Sequence, residues 1–375
     1  MIYYYPNNIK LRFKQHFTPL DTLSVEKFVY IIQLKDQTTL QYTVPEEIIN
    51  PVKEKRCKIL LLGWDDNWGS KEFKLLFLNF KKQIDTIEED DFVYVTASGE
   101  DYSLEKFNHF YANRGEWQWH EIFYPKIVRK SKRFYENKTK DFICLNKRPD
   151  WHKFLAISHL WEHRAQGHIS HVSKEYNEDQ YAFARQIFES CDPFPHVLSK
   201  RFKRHIEKHL PFVLLHDRLR NTAHSTAKDI DSPKYLESWI HIVTESRSEL
   251  YSPNGTQIVD RYVSEKIFKP IFYKQPYILV GQNGILKLMK QWGYQTYDTI
   301  FNEKYDNIKE NWTRAVSALD QTQKWLRLSN AEKLNVYQEH DSVFEHNFNN
   351  LIKRGKELEL NLHNHILNSF KSIEL

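Results

Sequence analysis

Seven short apolar runs constrain this chain more than any other feature: 27–34, 57–63, 92–97, 141–145, 211–215, 238–244 and 276–280. Several are near-continuous in Val, Ile, Leu and Tyr instead of alternating apolar with polar. A strand with one face in water alternates, whereas a strand covered on both faces does not. Helix-length amphipathic segments lie between the runs. Segment 71–83 sets Phe73, Leu76, Phe77 and Phe80 at helical spacing, and 151–164 does the same with Phe154, Leu155, His159 and Trp161. Alternation of this kind predicts an α/β protein built on doubly wound, mostly parallel sheets.

A length of 375 residues fits two domains. The polar, basic run 129–140 predicts the boundary, between a Rossmann-like unit at 1–135 and a second at 141–330. Residues 331–375 read as a separate helical segment, with Val343, Phe344, Phe348, Leu351 and Ile352 along a buried stripe and Gly355 ending its first helix.

A hydrophobic fraction of 41% excludes a disordered chain. The 54 basic and 49 acidic residues leave a net charge of +5 on a mixed surface, which suits a phosphorylated ligand without demanding nucleic acid. Three cysteines without a CxxC spacing predict a reducing compartment and no disulfide framework. The first residues lack the charged and apolar regions of a signal peptide, and no apolar stretch approaches a membrane span. The expectation is a cytoplasmic chain without membrane insertion. Frequent Lys, Asn, Ile and Tyr are compatible with an AT-rich genome such as that of a phage or other virus, which would place it in an infected host cell.

The chemistry concentrates at 238–298. A strand over 238–244 delivers Glu245 and Ser246 to its carboxyl end, the edge where open α/β sheets bind ligands. A helix is predicted over 262–273, opening near Val263 or Ser264, with Glu265 and Lys266 in its first turn. Unpaired N–H groups and partial positive charge at such a start suit a pyrophosphate. Lys266 would reach the phosphates, and Glu265 would accept from ribose hydroxyls.

The run Tyr262, Val263, Ser264, Glu265, Lys266, Ile267, Phe268, Lys269, Pro270, with Gln275 to Leu279 beyond it, resembles the nucleotide-binding motif of the α-1,3-fucosyltransferase family. Glu245-Ser246 is similar to that family's strand ending in Glu-Asn-Ser, although Ser246 stands where the family has Asn, and Ser264 replaces its commoner Thr. The series Gly284, Leu286, Leu288, Gly293-Tyr294, Thr296-Tyr297-Asp298, Glu303 and Tyr305-Asp306 resembles phage and giant-virus glycosyltransferases. The likeness covers roughly 141–315. It implies a GT-B glycosyltransferase with an interdomain cleft, taking a GDP- or UDP-linked sugar as donor and needing no metal. Lys147, Arg148 and His152, which follow the strand 141–145, would meet the donor phosphates.

Transfer to a hydroxyl also needs a general base. The candidates lie in the N-terminal half: Asp65 and Asp66 after the strand 57–63, Glu100 and Asp101 after 92–97, and Glu116 and His120 in the stretch 115–120. The acceptor reads as a glycan or a hydroxylated base in viral DNA; the basic runs 129–133 and 200–204 could contact phosphates of the latter, although a solvated charged face is the more ordinary reading of such runs. The close pairs His168/His171 and His363/His365 lack further ligands at metal spacing, and Asp229/Asp231 is too small a match for a cation site. A non-catalytic saccharide-binding or virion-associated module is the alternative reading. The oligomeric state is not legible in the sequence.

Overall fold

The computed structural model describes residues 2–5, 17–20, 26–34, 41–63, 70–96, 109–111, 138–146, 150–171, 233–246, 248, 261 and 263–371. The chain forms two compact units. One gathers 1–121, 259–263 and 352–375; the other gathers 122–258 and 264–351. The C-terminal segment is therefore not a separate body, because 331–351 joins the second unit and the remainder joins the first.

In the first unit, β1 (Ile2–Tyr5), β2 (Phe17–Pro19), β3 (Phe28–Gln33), β4 (Cys57–Gly63), β5 (Phe92–Thr96) and β6 (His109–Tyr111) form one parallel sheet in the order β2-β1-β3-β4-β5-β6. The period of two divides its apolar residues between two cores. Phe28, Tyr30, Ile32, Ile59, Leu61, Phe92 and Tyr94 face one way, toward Ile48 and Val52 of α1 (Glu46–Lys53) and Phe73, Leu76 and Phe80 of α2 (Ser70–Gln83). The Phe73 and Tyr94 rings stack at 4.9 Å. Val29, Ile31, Leu60, Leu62, Val93 and Val95 face the other way, toward Leu362, Ile366 and Phe370 from the end of the chain.

The second unit holds β7 (Lys140–Asn146), β8 (Gly167–His171), β9 (Ser238–Thr244) and β10 (Tyr277–Val280), parallel and in the order β10-β9-β7-β8. Its helices are α3 (Trp151–Leu160), α4 (Pro233–Glu237), α5 (Phe268–Phe272), α6 (Ile285–Gln291), α7 (Asn311–Leu326), α8 (Asn330–Glu339) and the first part of α9 (Asp341–Lys371), whose residues from 352 on belong to the first unit. The chain steps from β7 to β8 on one side, and β9 lies on the other side of β7. That reversal is a topological switch point at the carboxyl ends of β7 and β9, the place where open α/β sheets bind ligands. The architecture is thus mixed α/β with parallel sheets. α9 runs through Gly355 without a break, and Gly355 is buried. Among the described residues no helix is long and apolar enough to cross a membrane.

Ile366 is fully buried and covers one face of the first unit's sheet, whereas Leu360 on the same helix is 47% exposed. Ile366→Ala is expected to destabilise the protein by about 2–5 kcal/mol, and Leu360→Ala by no more than about 0.5 kcal/mol. Denaturant unfolding checks the contrast, and equal effects would contradict the packing described.

Candidate functional site

The site grows from the last residues of β7 and β9. Thr244 donates its hydroxyl to Asn146 Oδ1, which ties the two strand ends together across the switch point. β9 then delivers Glu245, which is fully buried. Its Oε2 accepts the N–H of Ser246 at 3.1 Å and the N–H of Ser264 at 3.2 Å, while Oε1 is buried without a hydrogen-bond partner. Burial raises the Glu245 carboxyl above the usual carboxylate range, against the pull of Lys266 and the Ser264 bond. Gly281, just beyond β10, makes room for it: a Cβ there would stand 3.2 Å from Glu245 Cβ.

Lys266 completes the cluster. Its ammonium donates to Ser246 Oγ at 2.8 Å and Ser264 Oγ at 3.2 Å and stands 3.5 Å from a Glu265 oxygen. Both charged side chains remain about a quarter exposed, at 26% and 27%. Partial burial would raise the Glu265 carboxyl, but Lys266 and Lys269 outweigh it and hold it down to about 2. The result is a sheet edge with one partly exposed cation, one firmly ionised carboxylate and two hydroxyls.

The helix predicted over 262–273 is not what forms. Residues 265–267 make a turn, and α5 begins only at Phe268. Pro270 is the reason. It lacks an N–H, so it fits the first turn of a helix opening at Phe268 but would break one opening near Ser264. Ser264 Oγ instead accepts the Lys266 N–H at 3.3 Å, a local bond that competes with helix. The N–H of Ser264 goes to Glu245. A helix dipole and free N–H groups therefore drop out of the account, and the cation at the sheet edge remains.

His152 also has a different place from the one expected. It is buried on α3, and its Nε2 bonds the Glu245 carbonyl at 2.8 Å. A carbonyl can only accept, so that nitrogen carries the proton. Nδ1 meets the Ser248 hydroxyl at 3.0 Å. The ring joins α3 to the loop after β9 and does not present itself to phosphate. The structure thus brings together Glu245, Ser246, Ser264, Glu265 and Lys266, with His152 behind them. Lys147, Arg148, Tyr262, Asp65, Asp66, Glu100, Asp101, Glu116 and His120 lie outside the described residues. So do Asp229 and Asp231, most of the predicted linker, the strand expected at 211–215 and the basic runs.

Sequence reasoning missed Asn146, Ser248, Gly281 and Arg314. A polar residue closing an apolar strand could have pointed to Asn146; the others carry no local signal. The series from Gly284 to Asp306 proves to be internal support. Asp306 accepts the N–H groups of Leu286 and Lys287, both at 3.2 Å, and caps α6. Glu303 accepts from the Thr296 hydroxyl and the Tyr297 N–H. Gly167–His171 is strand β8, with His168 bonded to Glu237 at 3.2 Å. Among the described residues no group of three His, Cys, Asp or Glu side chains is placed to hold a metal ion.

No family model and no curated protein matches the chain. Among solved structures, the N-terminal domain of trehalose-6-phosphate phosphatase from Candida albicans is similar at a TM-score of 0.44 and 10% identity, over 92% of this chain and 71% of that one. A likeness of that degree transfers neither fold nor activity.

Burial pushes the Glu303 carboxyl up to about 7, against the two hydrogen bonds it accepts. An acid raised in the folded state stabilises the fold in its protonated form. That contribution is complete below the unfolded value of 4.5 and is lost as pH rises through about 7. Glu303→Gln is expected to lose less stability than the wild type between about pH 5 and about pH 8, read from urea midpoints. A wild-type-to-variant difference that stays constant over that range would contradict the assignment.

Proposed function

We propose that the chain is a nucleotide-sugar-dependent glycosyltransferase of the GT-B type, with its donor diphosphate held at the carboxyl ends of β7 and β9. The observation that carries this reading is Lys266, a partly exposed ammonium at a topological switch point, fixed between two serines that hang from one buried carboxylate. Parallel α/β sheets bind nucleotides at such points. An ammonium there suits phosphate oxygens as a point charge. The partly exposed, ionised Glu265 beside it supplies an acceptor for ribose hydroxyls. The resemblance of 262–270 to the fucosyltransferase motif supports the same assignment of Glu265 and Lys266.

In this reading the acceptor hydroxyl attacks the anomeric carbon of the donor sugar. The new glycosidic C–O bond forms as the bond to the nucleoside diphosphate breaks. The diphosphate leaves with the electron pair, and Lys266 offsets its added charge without a metal. The hydroxyl proton passes to a base of the N-terminal half, for which Asp65, Asp66, Glu100, Asp101, Glu116 and His120 are the candidates. The acceptor is a glycan or a hydroxylated DNA base.

Lys266→Ala is expected to weaken GDP- or UDP-sugar binding about ten- to hundredfold, the worth of one hydrogen bond to a charged group at about 1.5–3 kcal/mol. The melting temperature without ligand should hardly move. Calorimetric titration and thermal shift read both quantities. A donor panel that neither stabilises the wild type nor is hydrolysed would overturn the enzyme reading and favour the non-catalytic module.

A further inference from the structure

We infer that Arg314 is the positioning residue of this site: from α7 it fixes the loops after β9 and β10, and through them the serines that hold Lys266. The inference rests on the reading of the switch point as a nucleotide site.

Arg314 is 2% exposed. A guanidinium has five N–H donors in a rigid fork, and all five are used here. Nε donates to the Gly281 carbonyl at 2.8 Å. Nη1 donates to the carbonyls of Ile308 at 2.8 Å and Lys309 at 3.1 Å. Nη2 donates to the Ser248 carbonyl at 2.6 Å and to Asn311 Oδ1 at 2.7 Å. Three of these bonds anchor α7's own entry, while the bonds to Gly281 and Ser248 reach the loops that follow β10 and β9. A buried cation spent on main-chain carbonyls of separate loops fixes their relative position. An apolar side chain would leave those carbonyls unpaired.

From Ser248 the connection is continuous. The Ser248 hydroxyl meets His152 Nδ1, and His152 Nε2 donates to the Glu245 carbonyl. The Glu245 carboxylate holds the N–H groups of Ser246 and Ser264, whose hydroxyls hold the Lys266 ammonium. Gly281, the other anchor, is the residue packed against Glu245 Cβ. Arg314 touches no ligand in this arrangement. It acts through Glu245 and the serines, and its effect falls on the geometry presented to the diphosphate.

The test compares Arg314→Lys with Arg314→Met in the full chain. A lysine keeps the charge but has three donors and no fork, so it cannot make all five bonds. Amide hydrogen exchange without ligand is the first readout. In the lysine variant, amides at 244–248 and 281–284 should exchange at least about tenfold faster, while those of β3 to β5 stay as in the wild type. The second readout is GDP and UDP affinity by calorimetry at a temperature where the variant is fully folded, expected to fall at least about tenfold. Exchange at 244–248 and 281–284 unchanged in the lysine variant overturns the inference, and so does unchanged nucleotide affinity where the wild type binds. If Arg314→Met fails to fold, the lysine variant alone decides. A wild type that binds neither nucleotide, with faster exchange in the variant, sinks the donor reading and leaves the loop-fixing role standing.

Discussion

β9 runs between β10 and β7 with both faces buried, and its last residues have to leave that environment without stranding polar groups. The carboxylate of Glu245 meets this constraint for two backbone N–H groups through Oε2, while its own Oε1 stays buried without a hydrogen-bond partner among the described residues. It accepts the N–H of its own successor and the N–H of Ser264, nineteen residues further on. One buried group therefore draws two distant stretches of chain to the same edge of the sheet. The Ser246 and Ser264 hydroxyls follow their backbones, and the Lys266 ammonium follows the hydroxyls. Burying a charge is expensive unless it is hydrogen-bonded, and the raised Glu245 carboxyl is the mark of that expense. The site's one well-defined cation is thus a consequence of how a strand end is satisfied.

The same logic runs outward. His152 is held by the Glu245 carbonyl and the Ser248 hydroxyl, and Ser248 by Arg314. Each link closes an otherwise unpaired polar atom in a buried region. The network spans α3, the loops after β9 and β10, and the start of α7. On the inference drawn for Arg314, a substitution at any link is expected to be felt at Lys266. Partly satisfied networks of this kind are costly, whereas complete ones specify a single geometry.

Much of the fold was legible in the sequence, for a physical reason. Central parallel strands are covered on both faces, so Phe28–Gln33, Cys57–Gly63 and Ser238–Thr244 read as continuous apolar runs. The short strands Phe17–Pro19 and His109–Tyr111 lie at sheet edges, and such brief runs give no period to detect. β8 carries two histidines, so it lacks the continuous apolar run that marks the central strands. The helix expected over 262–273 starts only at Phe268 because Pro270 fits a first turn and not an interior, and Gly355 does not end its helix because packing holds the helix through it. At the site, Glu245, Ser246, Ser264, Glu265 and Lys266 were legible because they follow a recognisable strand or resemble a known motif. Arg314 was not. Its partners at Gly281 and Ser248 are main-chain carbonyls 33 and 66 residues away, and a carbonyl leaves no trace in a sequence.

The central claim is that the carboxyl ends of β7 and β9 hold a nucleoside diphosphate against Lys266. A crystal structure of the protein with GDP or UDP tests it most directly. The account predicts diphosphate oxygens within about 3 Å of Lys266 Nζ, the reach of a charge-assisted hydrogen bond, with the ribose toward Glu265. A nucleotide bound elsewhere, with the Ser246, Ser264 and Lys266 contacts unchanged, would contradict it.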